Sequence, residues 1–336
     1  MRRVLLLVIA LLAVPASAEA GTLLSVPAAG GRPTVVIRDP GAYFSQPCWR
    51  ADGSLIARVE RAKRGSLIGV FGAGAEPRWR SVDEYAHGAD FAPGCKLVAE
   101  SFYGFEEDPQ FDGGILIREA SGKAIMHVKT HQWPEGETLA WSRDGTRLAV
   151  VMSERGHDRD TLRVIDVPSR RVIARVEGNE FPTVYPGAFS PDGGALVYED
   201  GPLLRIFDVA TRKSRVLAGD RDGRSLRAPA WSPKGDRIAA VNMGGGIELL
   251  DPALGYGPTV PASSVWTESI AWSPDGATLA LQFARPNESG VNQRYGLALV
   301  APAPDARLRR IVEPTPYLSP PVWSPDSTAL AVSRRG

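Results

Sequence analysis

The stretch ESIAWSPDGATLALQF, residues 268–283, decides the fold, because its middle recurs along the 336-residue chain. Aligned on the aromatic residue, the copies are WRADGSLIA from Trp49, FAPGCKLVA from Phe91, WSRDGTRLA from Trp141 and FSPDGGALV from Phe189. WSPKGDRIA from Trp231, WSPDGATLA from Trp272 and WSPDSTALA from Trp323 complete the set. The aromatics are 42, 50, 48, 42, 41 and 51 residues apart. A period in that range is the length of one four-stranded propeller blade. Each part of the copy has a structural task. The aromatic ends a strand and supplies a large apolar plate for packing blade on blade. Ser-Pro-Asp-Gly is turn chemistry: proline presets φ, aspartate bonds its own backbone, and glycine accepts a positive φ. The apolar run behind it is the returning strand. LRVIDVPSRRVIARVEG (162–178) and LLRIFDVATRKSRVLAG (203–219) then read as third and fourth strands around a polar turn. No 3.6-residue apolar stripe follows residue 20, and the 35 glycines and 28 prolines favour many turns over long helices.

The two ends explain each other. The last copy stops at Gly336, after its second strand, while TLLSVPAAGGRPTVVIRDP (22–40) supplies two strands before the first aromatic. Placed beside residues 321–334, they close a ring and cover both sheet edges. The expected architecture is all-β: a seven-bladed β-propeller of four-stranded antiparallel blades, the last closed by N-terminal strands. One domain then occupies residues 21–336. A six-bladed ring with one degenerate repeat is the alternative and fits the count less well.

Trp-Ser-Pro-Asp-Gly followed by Leu/Ile-Ala resembles the TolB-type (PD40, WD40-like) propeller repeat, over essentially all of residues 21–336. The pattern departs at Gly94-Cys95, at Lys234 and at Ser327. The resemblance implies the fold. No segment matches the further N-terminal domain that TolB carries, so the role of TolB with envelope lipoproteins is not carried over; fold does not license function.

MRRVLLLVIALLAVPASAEA (1–20) has two arginines, an apolar run from Val4 to Val14 and small residues Ala16-Ser17-Ala18. That is the pattern of a cleavable signal peptide, with cleavage after Ala18 or Ala20. The run is too short to anchor, since a spanning helix needs about 20 apolar residues. The expected location is therefore periplasmic or secreted, with no membrane span in the mature chain. The 39 basic and 38 acidic residues nearly cancel, which excludes a basic footprint for nucleic acid. Cys48 and Cys95 are too few for a disulfide scaffold or a cysteine-rich zinc site; lying in neighbouring repeats of an exported chain, they are candidates for one disulfide.

The innermost strand of a blade begins at the central channel. Four residues before each aromatic stand Ser45, His87, Glu137, Tyr185, Arg227, Glu268 and Ser319, all polar. They are expected as a ring at the channel mouth, beside the loop aromatics Tyr85, Trp133 and Trp266. Aromatic plates next to polar groups suit a glycan or a protein surface. HVKTH (127–131) has the helical spacing of a zinc pair, but on a strand four residues span about 13 Å. No metal or cofactor is expected. The sequence points to a monomeric, non-catalytic module that binds an envelope protein or glycan through its channel mouth. The alternative is a propeller enzyme, a lyase or a lactonase/hydrolase, using Glu137, Glu268 and His87 as acid/base groups.

Overall fold

The computed structural model describes residues 21–39, 41–61, 65–71, 78–81, 86–102, 113–129, 133–153, 160–177, 182–219, 225–262, 266–286 and 293–335. All regular structure among them is β-strand. Six sheets each hold four antiparallel strands in chain order, and we number them blades 1 to 6: residues 42–81, 86–129, 133–177, 182–219, 226–260 and 266–315. First strands touch between blades 1 and 2, 2 and 3, and 5 and 6, which places these strands around the axis.

The expectation of a seven-bladed propeller of four-stranded blades, the last closed by N-terminal strands, is corrected: the four-stranded blades number six. What joins blade 6 to blade 1 is a composite sheet of five strands. Thr34–Asp39, Gly21–Pro27, Ala329–Arg335 and Tyr317–Leu318 lie in that order, and Val322–Trp323 also pairs with Ala329–Arg335. Its inner strand is split at Ser319-Pro320-Pro321, because proline lacks an N–H and fixes φ, so the ladder cannot continue through the pair. Gly21–Pro27 runs antiparallel to the C-terminal strand with Leu24 opposite Val332, and Leu23, Leu24 and Val26 are buried there. Blade 4 is irregular for a similar reason. Its inner strand is only Pro182–Thr183, and past Pro186 and Gly187 a single bridge joins Phe189 to Leu196.

The turns behave as turn chemistry requires. Ser142, Ser190, Ser273 and Ser324 donate their hydroxyls to Asp144, Asp192, Asp275 and Asp326 at 2.5–2.6 Å. Each aspartate in turn accepts a backbone N–H two residues on. Where Lys234 takes the aspartate's place, Ser232 donates instead to Asp236 at 2.5 Å. The next position has φ between 56 and 77° in every copy, whether it is Gly53, Cys95, Gly145, Gly193, Gly235, Gly276 or Ser327. The backbone geometry therefore survives the two non-glycine copies.

A second repeating bond joins blade to blade. The indole N–H of Trp49, Trp141, Trp272 and Trp323 donates to the carbonyl of the residue just before the preceding aromatic. The acceptors are Val322, Asp90, Ala230 and Ala271, at 3.0–3.2 Å. Trp231 is the exception, its indole nitrogen buried without a partner. The acceptor that the pattern would use, the Ala188 carbonyl, lies in blade 4, whose inner strand is the irregular one.

Candidate binding site at the channel mouth

Five inner strands, those of every four-stranded blade but blade 4, slip register just where the polar ring was expected. The ladder shifts between Ser45 and Cys48, Ala86 and Gly88, Pro134 and Leu139, Arg227 and Ala230, and Thr267 and Ser269. A bulge frees a residue from the ladder and re-aims its side chain. Two bulges hold a non-glycine residue in the left-handed region, Gln46 at φ 44° and Ala228 at φ 49°, both three residues before their aromatic. Such strain costs on the order of 1–3 kcal/mol and persists only where neighbours hold it in place.

The holding residues lie ten positions after an aromatic, on the second strand of the preceding sheet. Glu199 accepts the Ala228 N–H at 2.5 Å. Gln282 accepts from the Ser269 hydroxyl at 3.0 Å and donates to the Leu318 carbonyl at 2.5 Å. Ser333 donates to the Phe44 carbonyl at 2.7 Å. Where that position is apolar, as at Val241, the next blade offers Thr267, whose buried hydroxyl finds no partner. Sequence reading missed these residues. Their signal was a polar side chain inside an otherwise apolar returning strand, as in VYED, LALQF and AVSRR.

Three ring residues converge between blades 4, 5 and 6. Tyr185 hydrogen-bonds the Glu199 carboxylate; burial, then the charge of Glu199, pushes its hydroxyl pKa well up. Burial also raises Glu199, outweighing the Ala228 N–H, the Tyr185 hydroxyl and the Arg227 charge, which all favour its ion. Arg227 donates to the Thr267 carbonyl at 2.8 Å and approaches Glu268 at 3.7 Å. Its guanidinium lies 5.5 Å from the ring centre of Trp266, a cation–π contact. Trp266 itself is 54% exposed, while the side chains of Arg227 and Glu268 keep 34% and 29% of their surface open. The cluster is an aromatic plate beside a fixed acceptor and a fixed donor.

The remaining ring residues fall elsewhere. Ser45 and Ser319 are buried: Ser319 exchanges hydrogen bonds with the Ser333 backbone in the closing sheet, and the Ser45 hydroxyl donates to Gln46 in blade 1. Beside them the Tyr43 hydroxyl donates to Tyr317, and Arg335 covers the Tyr43 ring at 4.6 Å. His87, Trp133 and Glu137 belong to inner strands of blades 2 and 3, but their side chains lie outside the described residues, as does Tyr85 altogether. Cys48 and Cys95 are joined in a disulfide that ties blade 1 to blade 2 across 5.9 Å between Cα atoms. His127 sits on the outer strand of blade 2 and His131 lies outside the described residues. Among the described residues no group of three or more His, Cys, Asp or Glu could hold a metal ion, and no helix is long and apolar enough to cross a membrane.

The hairpin end of the channel is bridged. Arg143 stands where five of the other six copies carry proline, and its guanidinium reaches the carbonyls of Pro233 at 3.5 Å and Pro274 at 3.4 Å. Those turns belong to blades two and three places on, so the side chain crosses the axis.

No family model matches this sequence. No curated protein matches it either. Solved structures do. A TolB structure from Agrobacterium tumefaciens aligns at 14% identity over 94% of this chain and 98% of its own, with a TM-score of 0.52. An oligogalacturonate lyase in complex with manganese aligns at 13% identity over 95% and 97%, with a TM-score of 0.67. The Vibrio parahaemolyticus oligogalacturonate lyase gives 11% identity over 87% and 89%, with a TM-score of 0.60. At such identities the likeness is one of fold: the chain is a β-propeller similar to both a TolB protein and a lyase.

Proposed function

We propose that this chain is an exported, non-catalytic binding module, a TolB-like propeller that engages an envelope glycan or protein at the mouth formed by blades 4 to 6. In this reading residues 1–20 are a signal peptide, and the mature chain is a periplasmic or released monomer. The observation that carries it is the Trp266–Arg227–Glu268 cluster: an open indole beside polar groups already held in place by Thr267, Glu199 and Tyr185. A site ordered before its ligand arrives loses little freedom on binding. Glu199 supports binding rather than turnover, since the Ala228 N–H and the Tyr185 hydroxyl already occupy its carboxylate.

The test uses mature protein as bait against envelope extract and isolated envelope glycan, with Trp266→Ala/Glu268→Ala as the control. A ligand retained by wild type and lost by the double variant supports the module and its surface. Equal retention by both removes the mouth from the proposal.

The second reading is a lyase or hydrolase built on the same mouth. It is favoured by the Tyr185–Glu199 pair, in which both groups are pushed toward their protonated forms. The two solved lyase structures share this fold. Oligogalacturonate is the probe: release of unsaturated product, abolished by Glu199→Gln, would establish the enzyme and overturn the non-catalytic reading.

A further inference from the structure

We propose that the mouth of blades 4 to 6 recognises an uncharged saccharide, and that Trp266, Arg227 and Glu268 read one pyranose ring. The inference rests on the binding-module reading and names its ligand class.

Charge decides between the candidate ligands. An anion approaching Arg227 meets the Glu268 carboxylate beside the same guanidinium. A cation approaching Glu268 meets Arg227, which already fills the cation position over the Trp266 ring at 5.5 Å. Either charge is therefore opposed by a group fixed in the site, and like charges at this range repel. A neutral polyhydroxyl ligand meets no such opposition. Its hydroxyls can donate to the Glu268 carboxylate and accept from the guanidinium, which stand 3.7 Å apart at their nearest atoms. A hydroxyl both donates and accepts, so two neighbouring hydroxyls can satisfy such a pair together. The open part of Trp266, more than half of its surface, offers a plate for the apolar C–H face of the ring. Arg227 is the positioning element: the Thr267 carbonyl holds one arm of its fork at 2.8 Å, and about a third of its side chain stays open beside Glu268.

The experiment titrates mature protein with β-1,4-linked hexamers of glucose, N-acetylglucosamine, glucosamine and glucuronate. These share a linkage and differ in charge. Binding is read by calorimetry and by tryptophan fluorescence, with Trp266→Ala, Glu268→Ala and Trp266→Phe as variants. The expected result is that at least one neutral hexamer binds tenfold or more tightly than both charged ones. Trp266→Ala should then lose at least tenfold, Glu268→Ala should lose a comparable amount, and Trp266→Phe should retain most of the affinity. An unchanged melting temperature of the variants separates loss of contact from loss of fold. A charged hexamer binding more tightly, neutral binding that ignores Trp266→Ala, or no binding by any hexamer overturns the inference. In the last case, capture of an envelope protein that Trp266→Ala/Glu268→Ala abolishes keeps the binding module and rejects only its saccharide ligand.

Discussion

Trp272→Phe and Trp231→Phe make the same chemical change in neighbouring blades and should have different costs. Both indoles are partly buried at the same place in their repeats, so both variants lose similar ring surface, about 1 kcal/mol at the usual area coefficient. Trp272 also loses its bond to the Ala230 carbonyl, 3.1 Å away, worth about 1 kcal/mol net. Trp231 has no bond to lose. Its indole nitrogen is buried and unpaired, a state that costs about 1–3 kcal/mol, and phenylalanine removes that penalty. Trp272→Phe should therefore destabilise by about 2 kcal/mol, while Trp231→Phe should come out near neutral or mildly stabilising. The difference of roughly 2 kcal/mol corresponds to a separation of about 4–8 °C in melting temperature for a large domain, toward the lower end for one of this size. Melting followed by circular dichroism, with urea midpoints as a second measure, gives the comparison. Trp323→Phe, whose donor meets Ala271 at 3.0 Å, should behave like Trp272→Phe. Equal losses at 231 and 272 would refute the reasoning and show that ring packing alone sets the cost.

Reducing the Cys48–Cys95 disulfide, or replacing both residues with alanine, opens a 47-residue separation and should cost about 4 kcal/mol by chain entropy, seen as a lower melting temperature that reductant reproduces in wild type. Asp192, Asp275 and Asp326 are held below the usual 3.8, chiefly by the Ser190, Ser273 and Ser324 hydroxyls. Their contribution is present above the unfolded pKa and is lost as pH falls through the lower folded values. Stability should therefore drop below about pH 4, and Asp275→Asn should weaken that pH dependence in melts between pH 5 and 2. Gly255→Ala should destabilise by more than 2 kcal/mol on the order of a strained, overpacked site, because its Cβ would stand 1.8 Å from the Leu217 carbonyl oxygen at a φ of 75°; proteolysis of the variant is a direct check.

The propeller was legible in the sequence because its signal is local. Turn residues, a strand-ending aromatic and an apolar return lie within nine residues of one another, and the copies repeat at blade length. The serine–aspartate bonds follow from the same few residues, which is why even Lys234 could be absorbed by Asp236. The irregular sheets were less legible. Pro320-Pro321 splits one inner strand and Pro186-Gly187 breaks another, and both sit where repeat counting sees an ordinary copy, so counting copies gave seven blades where six are four-stranded.

The mouth divides in the same way. Tyr185, Arg227 and Glu268 share a short, repeated offset to the aromatic, and the fold brings them together beside the loop aromatic Trp266. Ser45 in blade 1 and Ser319 in the closing sheet share the offset yet are buried, a distinction the offset does not carry. Glu199, Gln282 and Ser333 could not be assigned a task from sequence, since each acts on the next blade, 29 to 289 residues away along the chain. Local sequence determined the repeat, its turns and the polar ring. Only the tertiary structure decided which ring residues stay open, because burial and partner choice depend on the neighbouring blade, and chain order alone does not record what that neighbour brings.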